Sequence, residues 1–243
     1  MRNRVLLPYL ILLLGFCFTL LVYYYFYKLT YEQDLIRFRS SVQEIQDQVR
    51  LRIATSTALL RAGTGLFAAS DFVDAGEFEN FVTEIELDKN YPGVEGIGYS
   101  ARFASENKAQ VIAGMKRQGF HDFRIWPDDT PRREYNSIIY LQPHSIRNKG
   151  AIGYDMATED TRRQAMEAAR DTGKPTASGR VHLVQEKDLP EASKQSGFLI
   201  YVPVYKNNSL INTEQQRRDA LLGFVYSPLR AEDFLGAVTG AKK

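Results

Sequence analysis

The chain opens on a long apolar run. From Val5 to Tyr27 no residue carries a formal charge, and at helical rise that stretch covers about 34 Å, enough to span a bilayer. Tyr23, Tyr24, Tyr25, Phe26 and Tyr27 close it and Lys28 follows, the arrangement of an interfacial aromatic belt. A cleaved signal peptide is the competing reading, but it calls for a shorter apolar region and a small-residue cleavage site. We therefore read residues 1–28 as a short N-terminus and a retained transmembrane helix. Arg2 and Arg4 precede the span, while Glu32 and Asp34 follow Lys28. The positive-inside rule then puts the N-terminus in the cytoplasm and the rest of the chain in the periplasm, anchored to the inner membrane by one pass.

Beyond the span the pattern becomes periodic. Leu35, Phe38, Val42, Ile45 and Val49 recur at spacings of three and four among Glu44, Gln46, Asp47 and Arg50, which is an a/d seam. It predicts a stalk helix over 29–69, although Gly63 and Gly65 weaken its end. Two uses of the seam stay open: a dimeric coiled coil, or packing against the chain's own sheet. A sensor domain is expected over 70–238 and a C-terminal tail over 239–243.

Within that domain Asp74 and Glu77 have capping-box spacing ahead of Phe78, Phe81, Val82 and Ile85, and Pro92-Gly93 should break this helix. Strands are predicted at Val94–Phe103, around Phe123–Trp126, at Ser137–Leu141, Arg180–Gln185, Gly197–Tyr205 and Leu221–Tyr226. Ser105 can cap a helix ending near Gly119, and a further helix over Thr161–Asp171 stops at Gly173 with Pro175 beyond. A polar turn is expected at Pro127–Pro131, polar loops at Glu186–Ser196 and Lys206–Arg218, and a short helical pattern at Ala231–Val238. The sum is an α+β domain whose mostly antiparallel sheet is covered by helices on one face.

Composition narrows the function. With 44% apolar residues, 25% charged residues and a net charge of +2 among 243 residues, the chain can form a core and has no electrostatic case for nucleic acid. Its single cysteine, Cys17, lies inside the span, so the outer part must be held by packing and not by disulfides. Asp171-Thr-Gly-Lys-Pro175 lacks the first glycine and the metal-binding hydroxyl of a phosphate loop, and no G-x-S-x-G elbow occurs. His121, His144 and His182 have no metal-ligand spacing. No cofactor, metal or catalytic residue is expected.

What remains is a set of polar and aromatic residues interleaved on predicted strands: Tyr135, Tyr140, Ser178, Arg180, Phe198, Tyr201 and Tyr205. Such a mixture suits a small-molecule pocket, against the plain reading of each aromatic as core. Two alternatives to a sensor stand beside it. One is a periplasmic hydrolase with Glu134 or Asp155 as a carboxylate base, against the routine roles of a surface charge and a cap. The other is a dimerisation module without a ligand.

The order of several motifs resembles one family. Tyr91-Pro-Gly-Val-Glu-Gly-Ile-Gly-Tyr99, Arg133-Glu-Tyr135 with Ile138-Ile-Tyr140, Gly153-Tyr-Asp155, the stretch Arg162 to Gly173, Gly197-Phe-Leu-Ile-Tyr-Val-Pro-Val-Tyr205 and Leu222-Gly-Phe-Val-Tyr226 together resemble the CHASE family. These are extracellular sensors of histidine kinases, nucleotide cyclases and diguanylate cyclases, and the likeness covers about residues 55–238. The resemblance implies a stalk helix leading into two PAS-like subdomains with antiparallel sheets, a ligand in the membrane-distal one at about 90–205, and a homodimer. In the plant cytokinin receptors of this family an Asp before the Glu-Tyr pair grips the ligand. Here Arg133 matches it, a charge reversal that favours an anionic or carboxylate-bearing ligand, while Ser178 keeps the hydroxyl of a Thr on a later pocket strand. Thr158-Glu-Asp160 departs from the Ser and Pro of many relatives. Family members continue into a second span and an output domain, of kinase or diguanylate cyclase type, so the chain is expected to be a fragment of such a receptor.

Overall fold

The computed structural model describes residues 3–91, 94–129, 131–187, 190 and 194–239. Pro92-Gly93, part of the Glu186–Ser196 loop and residues 240–243 of the tail lie outside the described residues. Contacts divide the chain into two units, Met1–Arg50 and Leu51–Lys243.

The first unit is helical throughout its described residues, as the first part of α1 (Asn3–Ala69). This is the one helix among the described residues long and apolar enough to cross a membrane. It continues without a break at residue 28, and Leu35, Phe38, Val42 and Ile45 of the seam are exposed.

The second unit begins with the last turns of α1, followed by α2 (Ala75–Ile85) and α3 (Leu87–Asn90). The Asp74 side chain accepts from Glu77 N at 2.8 Å while Glu77 accepts from Asp74 N at 3.1 Å, the reciprocal cap that the spacing predicts. α2 ends at Glu86, in the left-handed region with φ 50, ahead of the expected Pro-Gly break. There follow β1 (Ile97–Ala104), α4 (Lys108–Arg117), β2 (Glu134–Gln142), α5 (Ile146–Lys149) and α6 (Asp160–Thr172). Then come β3 (Thr176–Ala177), β4 (Val181–His182), β5 (Ser196–Tyr205), α7 (Glu214–Ala220), β6 (Leu221–Arg230) and α8 (Ala231–Thr239).

Among the described residues six strands form one sheet in the order β2-β1-β6-β5-β3, with β4 also paired to β5, and every pairing is antiparallel. The α+β class, the long N-terminal helix and the antiparallel sheet are as expected. The second PAS-like sheet implied by the family resemblance is not among the described residues, because β5 and β6 pair along their whole lengths and draw the late strands into the first sheet.

Both faces of this sheet are covered, whereas helices were expected on one. Every residue from Leu199 to Val204 is buried; a strand apolar on both sides needs cover on both. On one face Leu199, Tyr201, Phe224 and Tyr226 pack with Ala165, Met166 and Ala169 of α6. On the other, the Phe67 ring of α1 lies 4.2 Å from Tyr99 and the Phe78 ring of α2 lies 5.3 Å from Tyr140. Gly63 lets α1 approach closely here, since a Cβ on it would meet Val225 Cγ1 at 3.0 Å.

Three local expectations change. Phe123–Trp126 is not a strand: Trp126 makes a single bridge, to Tyr154, and Pro127 after it has no N–H to continue a ladder. Ser105 opens a 3-10 turn, not α4 itself, and its N–H donates to the Arg133 carbonyl at 3.0 Å. The Lys206–Arg218 loop contains the start of α7, capped reciprocally by Thr213 and Gln216.

Two side-chain arrangements fix the α6 layer. Gly153 has φ +83, and a Cβ there would run into the Arg124 carbonyl oxygen. Asp171, just before the end of α6, accepts from Arg218 of α7 at 2.9 and 2.7 Å and from Arg170 at 2.6 and 3.1 Å. Hydrogen bonds from Arg218 and then Arg170 hold its carboxyl far below the usual carboxylate range.

Gly153→Ala should therefore cost more than about 2 kcal/mol in unfolding of the full chain in nanodiscs, combining positive-φ strain with a backbone clash. A stability within 0.5 kcal/mol of the parent, roughly the scatter of surface substitutions, would contradict this placement. Asp171 has a lowered native pKa, so its stabilisation is full above the unfolded value of about 3.9 and is lost as pH falls below it. Asp171→Asn should lower stability at pH 7 by roughly 1–2 kcal/mol and flatten the decline below about pH 4. Thermal unfolding across pH checks both, and an unchanged acid limb would count against the clamp.

Candidate functional site

The site forms where β2, α6 and the segment between them meet. Glu134 and Asn136 lie two apart on β2 and so share one sheet face. Beyond the strand, Gly153–Asp155 folds back along it: Gly153 N donates to Ile138 O at 2.8 Å and Ile138 N to Tyr154 O at 2.9 Å. Asp155 is fully buried. Its Oδ1 accepts from Asn136 N at 3.0 Å and Ala157 N at 3.2 Å, while Oδ2 has a 3.4 Å ion pair with Arg132 Nη1. Burial raises its pKa, opposed by those backbone hydrogen bonds and by Arg132. Thus Asp155 pins the connection to the strand.

α6 is placed by its ends and its apolar stripe. The Glu159 carboxylate accepts from Thr161 N and Arg162 N at 3.0 Å each, and Gly173 ends the helix. Arg162 is buried, donates to His182 O at 2.6 Å and lies 5.5 Å over the Tyr154 ring. With Ala165, Met166 and Ala169 against the sheet, positions 163, 167 and 170 fall along an adjoining face of the helix.

Between that face and β2 lies a cavity of about 250 Å³, lined by Arg132, Glu134 and Asn136 on the strand side, by Arg163, Met166, Glu167 and Arg170 of α6, and by Ala157, Leu221 and Phe224. Asn136 is 9% exposed, and its Oδ1 has no hydrogen-bond partner among the described residues. Arg163 donates to Ala157 O at 3.1 Å and to Asp160 at 2.6 Å. Arg170 uses Nε and Nη2 on Asp171. A guanidinium has five N–H donors, so both arginines retain donors for another acceptor. Glu134 pairs with Arg102 at 2.5 Å. Ala157, Met166, Leu221 and Phe224 give the cavity an apolar part beside its charged residues, a combination that suits a small polar ligand. Its volume limits the occupant to a small metabolite.

A second cavity, about 690 Å³, lies on the opposite face between α4, the sheet and the end of α1, with Phe67, Tyr99, Phe103, Val111, Met115 and Tyr140 in its lining. Asp71, Arg102, Gln110, Arg117 and Gln118 also line it; the cavity beneath α6 is the more densely charged of the two, half of its lining residues being Arg or Glu, and is the candidate for a charged ligand.

The residues singled out in the sequence are dispersed. Arg133 is exposed at the foot of β2. Tyr135 is buried against Phe103, ring to ring at 5.7 Å, with Lys108 5.1 Å above it. Tyr140 lines the larger cavity and donates to Val73 O at 3.1 Å; burial pushes its phenol up to about 12. Ser178 Oγ accepts from Leu199 N at 3.0 Å, Arg180 is exposed, and Phe198 packs edge-on against Phe234 at 5.5 Å. Tyr201 is fully buried with its hydroxyl 3.6 Å from Met156 Sδ. Two of them touch residues lining the smaller cavity: Tyr205 donates to Arg170 O at 2.6 Å, and the Tyr201 ring packs edge-on against Phe224 at 6.0 Å. None of the eight lies in that lining: five are aromatics and Arg133, Ser178 and Arg180 fall elsewhere, whereas half of the lining residues are Arg or Glu. Its sequence signal is Arg163, Glu167 and Arg170 at one helical spacing beside Met166, opposite alternate positions of β2.

The CHASE domain family model matches residues 71–243. Hybrid signal transduction histidine kinase A of Dictyostelium discoideum is 27% identical over 92 residues, 37% of this chain and 4% of that protein; the chain thus matches a small fraction of its length. Among solved structures, the ligand-binding domain of the Pseudomonas aeruginosa amino acid chemoreceptor PctC, in complex with GABA, superimposes with a TM-score of 0.45 and 12% identity, covering 82% of this chain and 64% of that one. The periplasmic sensory domain of the Campylobacter jejuni chemoreceptor Tlp1 has a TM-score of 0.45 and 11% identity, covering 84% and 62%. An extracellular ligand-binding receptor from Desulfohalobium retbaense has 0.45 and 10%, covering 80% and 26%. With most of its length matched by that family model, the chain belongs to the CHASE family of sensor domains.

Proposed function

We propose that this chain is the sensing region of a membrane-anchored receptor of histidine kinase or diguanylate cyclase type, and that it binds a small carboxylate-bearing metabolite beneath α6. The observation that carries this reading is the 250 Å³ cavity, with Arg132, Arg163 and Arg170 in its lining. Arg133 does not line it; its neighbour Arg132 does. Guanidinium groups match carboxylates in geometry and charge.

Binding can change the fold through β6. Phe224 lines the cavity, and the next residue, Val225, packs on Gly63 of α1 through the other face. A ligand that shifts Phe224 therefore biases the seating of α1, a two-state device of the kind that helix-shift receptors use. Arg170 adds a second lever, since a ligand carboxylate competes with Asp171 for it.

The membrane reading rests on the uncharged run Val5–Tyr27 with its terminal aromatics, and the dimer reading on the stalk seam, of which Leu35, Phe38, Val42 and Ile45 are exposed. In this reading the N-terminus is cytoplasmic, the sensor lies in the periplasm, and two copies meet along 35–49.

A thermal-shift screen of the full chain in nanodiscs against small organic acids should find a stabilising ligand; at a hundredfold excess over its Kd the gain is about 2.7 kcal/mol. Arg163→Gln together with Arg170→Gln should abolish the shift. No stabilising acid, or a shift that survives the double substitution, would remove the proposed site. Topology and dimerisation share one experiment. With Cys17→Ser and Val42→Cys, a membrane-impermeant maleimide should label spheroplasts and mild oxidation should give a disulfide-linked dimer. Labelling only after lysis would reverse the topology, and labelling without cross-linking would leave the seam unpaired.

A further inference from the structure

The larger cavity, about 690 Å³, lies on the face of the sheet opposite α6. Its inner wall is built of rings. Tyr99 and Tyr140 are buried on β1 and β2, and the Phe67 ring of α1 lies 4.2 Å from Tyr99. Met115 of α4, also buried, adds an adaptable apolar side chain. At Gly114 the same helix stands clear of its surroundings: a Cβ there would meet nothing nearer than Arg117 Nη2 at 3.8 Å. Phe72 and Leu222, in the same lining, are 69% and 41% exposed, two apolar side chains that an occupant would remove from water.

The polar groups restrict what fits. Tyr99 already donates to Leu222 O at 3.3 Å and Tyr140 to Val73 O at 3.1 Å. Arg102 is matched by Glu134 at 2.5 Å, while Arg117 and Asp71 are exposed and opposite in charge. A charged group placed among the rings would lose its hydration with no unmatched buried charge to receive it. Gln118 offers something different. Its Oε1 accepts from Ala75 N at 2.8 Å and lies 3.1 Å from the Tyr140 hydroxyl. Its amide nitrogen has no hydrogen-bond partner among the described residues, which leaves two N–H donors for an acceptor.

We infer that this cavity is a second ligand site, separate from the one beneath α6, for an uncharged and mainly aromatic molecule carrying a hydrogen-bond acceptor. Its rings pack offset or edge-on against Phe67, Tyr99 and Tyr140, and its acceptor takes the Gln118 amide. The volume lies within the usual range for small-molecule sites, and it admits fused rings.

Isothermal titration calorimetry of the full chain in nanodiscs tests this, with empty nanodiscs as the blank for uptake by lipid. The probes are acetylnaphthalene, whose ketone is an acceptor, and the singly charged naphthoate and naphthylmethylammonium. Acetylnaphthalene should bind about tenfold or more tighter than either ion. Gly114→Phe fills the space beside α4 and should weaken that binding at least about tenfold, whereas Gly114→Ala should leave it within about twofold. Both changes replace a helix glycine with a better helix former, so loss of fold does not mimic loss of site. Gln118→Glu keeps the bonds made by Oε1, removes the amide donors, and should also weaken the ketone. Arg163→Gln with Arg170→Gln should leave acetylnaphthalene binding unchanged. No binding above the blank, binding that Gly114→Phe does not weaken, or binding lost with the two arginines overturns the second site. Naphthoate bound as tightly as the ketone overturns the uncharged class and gives the spare donors of Arg102 and Arg117 to the ligand.

Discussion

The structure depends on a sheet that is buried on both faces. In β5 and β6 apolar residues follow one another without alternation, and each strand therefore presents a greasy side to two different layers. Neither α1 nor α6 could be removed without exposing half of the core. The consequence is most direct at β6, where Phe224 and Val225 point oppositely, one toward the cavity and one toward Gly63. Close-packed interiors transmit a displacement instead of absorbing it, so a perturbation on one side of this strand reaches the other within a single residue.

The charges of the site are arranged around that apolar sandwich at its border. Arg170, Arg163 and Glu134 each hold a partner on the side away from the cavity: Asp171, Asp160 and Arg102. These pairs fix where each head group sits while leaving each with further donors or lone pairs. A guanidinium already ordered by one carboxylate loses less side-chain freedom on meeting a second. The buried Asp155 plays a different part. Two backbone N–H groups and Arg132 hold it, so it organises the Gly153–Ala157 connection that forms the cavity's end and is not itself in the lining.

Much of this fold could be read from the residues alone, and the parts that could not have physical reasons. The capping boxes at Asp74, the stop at Gly173 and the continuous run of β5 are local signals, and they hold. β3 and β4 are two residues each, too short for any periodicity. α7 was hidden in a polar stretch even though Thr213 and Gln216 carry the spacing of a cap. The merging of late and early strands into one sheet is a long-range pairing that no local pattern encodes. The site suffered from the period of the strand: Arg132 and Arg133 are adjacent, and a shift of one residue exchanges cavity for solvent. Arg163, Glu167 and Arg170 carry the mixed charge at three- and four-residue spacing that ordinarily marks a solvated helix face. Only the position of α6 over β2 turns that face into a wall.

That position also decides what kind of response the domain can give. α6 is tied to α7 through Asp171 and Arg218, and to β5 through the bond from Tyr205 to the Arg170 carbonyl. In the proposed reading, a ligand drawing on Arg170 acts at a point where helix, neighbouring helix and strand are already joined. Because Tyr205 binds the backbone and Asp171 the side chain, the guanidinium can exchange partners while the helix keeps its anchor on the sheet. In the proposed reading, a rotation or slide of α6 about that anchor would press Met166 against Phe224, both of which line the cavity.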